Sequence, residues 1–85
     1  MTISSRLRVT LALLNVERAQ LGLPALSLRR VAAESGVALS VLAALQTGKS
    51  QRIDFRTLDR LLGYFNRFRP TRLDDLLMWE QERPA

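Results

Sequence analysis

The chain has 85 residues, 47% of them apolar, and a formal charge of +5. That is enough apolar material for one small packed domain and too much for global disorder. Cysteine and histidine are both missing. This excludes disulfides, thiolate metal sites and the commonest general base.

The basic charge is unevenly placed. Twelve basic side chains face four acidic ones through residue 73, and after it Arg83 stands alone against Asp74, Asp75, Glu80 and Glu82. The arrangement predicts a basic body facing a polyanion and an acidic tail, residues 79–85, facing away from it. The apolar stretch after Arg6 and Arg8 is broken by Asn15, Glu17 and Arg18. It reads neither as a leader nor as a membrane span, so a cytoplasmic protein with no membrane partner is expected.

Five helical segments are expected in one domain, residues 1–85, and β-strand alternation is absent throughout. The first helix is predicted from about Ser4 to Gln20, with Ser4 or Ser5 capping it and Gly22 and Pro24 ending it. Its apolar face reads as Leu7, Leu11, Leu14 and Leu21, with Ile3 alongside. Val9, Leu13 and Val16 form a second stripe. It is expected to pack on the fifth helix or to serve as a dimer interface. The Trp79 region is the alternative interface.

The second helix is predicted over Leu28–Glu34 with Ser27 as N-cap, and the third over Leu39–Thr47 with Gly48 beyond its end. The fourth runs from Phe55 to Phe65 behind Asp54, with Leu58, Leu61, Leu62 and Phe65 inward. The fifth follows Pro70. Thr71 is its expected cap, Asp74 sits near its N-terminus, and Leu73, Leu76, Leu77 and Trp79 close the core.

Residues 28–47 read LRRVAAESGVALSVLAALQT. Two short helices that cross closely need a small residue at the crossing, which Ala32 supplies. The turn needs positive φ, which Gly36 tolerates. The second helix needs a long apolar pin, which Leu42 provides. Val31, Val37 and Leu45 complete the cluster, and the unit reads as a helix-turn-helix.

With the following RIDFRTLDRLLGYF and the terminal LDDLL, this stretch resembles the lambda-repressor, Cro and XRE class of helix-turn-helix domains. The resemblance covers roughly residues 5–78. It implies an all-α, five-helix lambda-repressor-like domain that binds double-stranded DNA, often as a homodimer, and controls transcription. By position, Ala38, Leu39, Ser40, Ala43, Ala44 and Thr47 are the base-facing residues in the major groove. The list departs from the family pattern. It has no Arg, Asn or Gln, the residues that make bidentate base contacts. Leu28 stands where the family often has Gln, and Ala38 where it has Ser or Thr.

Phosphate contacts are expected from Lys49, Ser50, Gln51 and Arg52 in the following loop, from Arg56 at the start of the fourth helix, and from Arg29 in the second. Arg60, Arg67, Arg69 and Arg72 read as solubilising. A rival reading makes the apolar outer side of the third helix a contact surface for a protein partner, as in an adaptor or antitoxin. Catalysis is not expected. There is no ligand cluster for a metal and no glycine-rich phosphate loop, and Ser35, Ser40 and Lys49 have no visible activating base. No cofactor is called for.

Overall fold

The computed structural model describes residues 2–48 and 52–80. In chain order these form β1 (Thr2–Ser5), α1 (Leu7–Gln20), α2 (Leu28–Ser35), α3 (Leu39–Thr47), α4 (Phe55–Phe65), α5 (Leu73–Leu76) and β2 (Leu77–Glu80). The described chain is mostly helical, with one small antiparallel sheet of two strands.

The helix boundaries follow local chemistry. The Ser27 hydroxyl accepts the Arg30 N–H at 3.1 Å, and the Asp54 carboxylate accepts the Thr57 N–H at 2.8 Å. Each satisfies one of the orphan donors at a helix start. Gly36 and Gly48 close α2 and α3 at φ 78° and 73°, where a side chain would be strained.

The core joins all the helices. Phe65, Val31 and Leu42 are sealed from solvent, and Leu7, Leu11, Leu14, Leu26, Leu45, Leu61 and Leu76 pack with them. Burial of each such side chain contributes about 1.5–3 kcal/mol. Tyr64 meets Phe65 and Phe68 edge-to-face, with ring centroids 5.6 and 5.2 Å apart. Two asparagines hold the loops. Asn15 accepts the Leu26 N–H at 2.7 Å and donates to the Leu26 carbonyl at 3.1 Å. Asn66 does the same for Thr71, both at 3.0 Å.

The two ends of the chain correct the all-helical expectation. Thr2–Ser5 is extended and pairs antiparallel with Leu77–Glu80, with Ile3 opposite Trp79 and Ser5 opposite Leu77. The first helix therefore starts at Leu7 rather than Ser4, and the Ser5 hydroxyl accepts the Leu7 N–H at 3.2 Å. The physical reason is long-range pairing: each strand is held by the other end of the chain.

The fifth helix is a single turn. It starts after Arg72 rather than Thr71. Asp74 lies in its first turn as expected, and the Asp75 carboxylate accepts the Arg72 N–H at 2.8 Å. Leu77 turns extended, at φ −128° and ψ 143°, and ends it. Leu76 closes the core and Leu77 is half-buried, but Leu73 and Trp79 stay exposed. Ile3 and Leu21 are exposed too, so neither joins the buried face of α1. Of the expected acidic tail, Trp79 and Glu80 belong to β2, and residues 81–85 lie outside the described residues.

Candidate nucleic-acid interface

α3 has one face pinned and one face open. Leu42 and Leu45 are buried and Val41 packs against the core, which fixes the helix on α1 and α2. The opposite side carries Ser40, Ala43 and Thr47, all exposed, and the exposed Ala38 precedes it. Leu39 and Ala44 are half-buried at its margins. The six residues expected to face bases thus share the free side and edges of one rigid helix.

The Thr47 hydroxyl is already engaged. It donates to the carbonyls of Ala43 and Ala44 at 3.1 and 3.3 Å. It keeps only acceptor capacity for a ligand. The Ser40 hydroxyl has no partner among the described residues and keeps both.

The turn before α3 is braced from α4. Arg60 donates from Nη1 to the Gly36 carbonyl at 3.0 Å. The Tyr64 hydroxyl donates to Glu34 Oε1 at 2.7 Å, and Arg30 Nε reaches Glu34 Oε2 at 3.0 Å. The hydrogen bond from Tyr64, then that from Arg30, holds the Glu34 carboxyl below its usual range. Burial, followed by the Glu34 bond, pushes the Tyr64 phenol up to about 12. Asp54 is lowered chiefly by the Thr57 bonds, with a smaller contribution from the neighbouring Arg56 charge.

The arginines divide into two groups. Arg18 is buried, donates to the Pro24 carbonyl at 2.8 Å and lies 5.6 Å from the centre of the Phe68 ring. Arg69 pairs with Glu17 at 2.9 Å, Arg72 with Asp74 at 3.6 Å, and Arg67 lies over Tyr64. Of the four expected only to solubilise, Arg60 and Arg69 therefore tie elements together, while Arg67 and Arg72 are exposed and their contacts are local. Arg29 and Arg56 are exposed and make no ion pair among the described residues. Both sit in the first turn of a helix, α2 and α4 respectively. Arg56 has the Asp54 carboxylate nearby, which offsets the unfavourable helix dipole there. Arg52 is exposed just before α4. Lys49, Ser50 and Gln51 lie outside the described residues.

Sequence reasoning missed Tyr64, Glu34 and Arg60 as the braces of the motif. Their i, i+4 spacing on α4, and the Arg30–Glu34 spacing on α2, were the available signals.

The Val9, Leu13 and Val16 stripe remains exposed on α1, opposite its buried face, and does not pack on α5. Among the described residues no three Asp or Glu come together as a metal site, and no helix is long and apolar enough to cross a membrane. No protein-family model, curated protein or solved structure matches the chain.

Proposed function

We propose that the chain is a double-stranded DNA-binding transcriptional regulator, a repressor of the lambda-repressor, Cro and XRE class, acting in the cytoplasm on the nucleoid. The observation that carries this reading is the two-sidedness of α3. Its inner side is pinned by Leu42 and Leu45, while its outer side is left open by every other element.

A helix presented in this way suits the major groove. In this reading Ala43 and Ala44 touch thymine methyls and Ser40 makes a single hydrogen bond to a base edge. Arg29, Arg52 and Arg56 contact phosphates, joined by Lys49, Ser50 and Gln51 from the segment after α3. With so few hydrogen-bonding groups, specificity rests in good part on DNA shape. The five helices then correspond to a compact lambda-repressor-like domain with the sheet added at its ends.

Selection of bound duplexes from a random pool tests the proposal. Enrichment of one motif is expected, and a palindrome would add two-fold symmetry. Recovery of the unenriched pool contradicts sequence-specific regulation.

The apolar character of the same outer side favours a second reading, an interaction module that meets a protein partner there. Binding to random duplex at two salt concentrations separates the two. The regulator loses affinity steeply as salt rises, because phosphate contacts release counterions. The module shows no duplex binding at either concentration.

A further inference from the structure

Thr47 ends the outer side of α3, one turn after Ala43 and Ala44. Its hydroxyl hydrogen is spent on the carbonyls of those two residues, so toward a ligand its oxygen can only accept. This end of the helix therefore offers alanine methyls with an acceptor beside them. Ser40 lies two turns earlier, about 10 Å along the axis, and its hydroxyl can still donate. The two ends of the outer side make different demands on a base.

A C5 methyl in the major groove does not by itself name the base, because thymine and 5-methylcytosine both carry one. The neighbouring ring position does. Thymine has O4 there, an acceptor, which an acceptor-only oxygen cannot serve. Cytosine has its N4 amine there, a donor with one hydrogen pointing into the groove. Adenine and unmethylated cytosine offer a donor with no methyl beside it. N6-methyladenine and N4-methylcytosine fail on hydrogen count. Their methyl sits on the amine itself, and the one N–H that remains is spent in the base pair.

Building on the DNA-binding reading of α3, we propose that its Thr47 end recognises 5-methylcytosine, so that the chain prefers duplexes methylated at cytosine C5 over unmethylated ones. The Thr47 oxygen accepts from N4, and the methyls of Ala43 and Ala44 cover the C5 methyl. The Ser40 end, which can donate to O4, suits thymine. Arg, Asn and Gln, the usual readers of unmodified purines, are missing from this side, where their bulk would displace the C5 methyl. Burial of one methyl among apolar groups is worth about fourfold in affinity.

The test gives the full chain three random-core duplex pools, each competing against the same labelled plain duplex. One pool is unmodified, one has 5-methylcytosine in place of cytosine, and one has N6-methyladenine in place of adenine. The 5-methylcytosine pool is expected to compete at least about fourfold better than the unmodified pool, and the N6-methyladenine pool no better. Sequencing of the duplexes bound from the 5-methylcytosine pool should show cytosine enriched over thymine at the position under Thr47. Thr47→Val keeps the shape and removes the acceptor. It should level cytosine and thymine at that position, while the thymine preference under Ser40 persists. The comparison of pools on the unaltered chain covers the case of a variant that fails to fold. Equal competition by the methylated and unmodified pools, with affinity still falling as salt rises, overturns the proposal and leaves DNA binding standing. A cytosine preference that Thr47→Val retains in full also overturns it. Binding to none of the pools removes the DNA-binding reading and this proposal with it.

Discussion

Val31 and Leu42, core residues of the α2–α3 unit, are both 0% exposed, while Ile3 and Trp79, opposite each other in the ribbon, are more than half exposed. Both are pairs of apolar side chains on short elements. The first lies in the core to which all the helices contribute, and the second is left largely uncovered by the described residues. Stability should therefore reside in the central unit, while the ribbon contributes order at the ends and surface for contact. The same contrast separates the two sides of α3, where Leu42 holds the helix and Ala43 has no structural duty.

The largest effect should come from the packed pair. Leu42→Ala is expected to cost about 2–5 kcal/mol in chemical unfolding, because it removes buried methyls and leaves a cavity. Ile3→Ser should change stability by less than about 0.5 kcal/mol in the monomer. Equal losses from the two would erase the distinction between the regions.

The turn that joins α2 to α3 gives the next largest effect. Gly36→Ala should destabilise by about 1–2 kcal/mol through backbone conformation alone. The nearest atom to an added Cβ is the Arg60 Nη1, 4.0 Å away. Gly63, inside α4 and with nothing within 4 Å, should behave oppositely. Gly63→Ala is expected to stabilise by about 0.5–1 kcal/mol. Thermal unfolding of the two variants side by side checks both signs.

The brace between α2 and α4 should show a dependence on pH. Glu34 and Asp54 have lowered pKa values in the folded chain, so their contribution is present at neutral pH and is lost as pH falls through those lowered values. Tyr64 is raised, so its contribution is present below its ordinary value of 10.0 and is lost as pH rises toward about 12. Tyr64→Phe should flatten the alkaline limb of a stability–pH profile and leave the acidic loss at Asp54. An unchanged alkaline limb would remove Tyr64 as its source.

What was legible in the sequence follows the same division. Ser27, Gly36, Leu42, Gly48 and Asp54 each answer a need set within a few residues, and the structure places them as expected. The extents of α3 and α4 were legible for that reason. The ribbon was not, because Thr2–Ser5 becomes a strand only by meeting Leu77–Glu80 from the other end of the chain. The single-turn length of α5 depends on that same pairing. Asn15 read as a polar break and Asn66 was not singled out, yet each clamps a loop whose path no local pattern reveals. The free side of α3 was legible as a face of a helix. That no other element covers it depended on where α1, α4 and α5 pack.

The central claim is that the open side of α3 is the surface that meets duplex DNA. Titration of a labelled duplex with the chain and with Ala43→Glu tests it most directly, with circular dichroism showing that the exposed substitution leaves the fold intact. A carboxylate placed there would face phosphates, and the account predicts a loss of affinity of at least about tenfold. Affinity equal to that of the unaltered chain would contradict the claim.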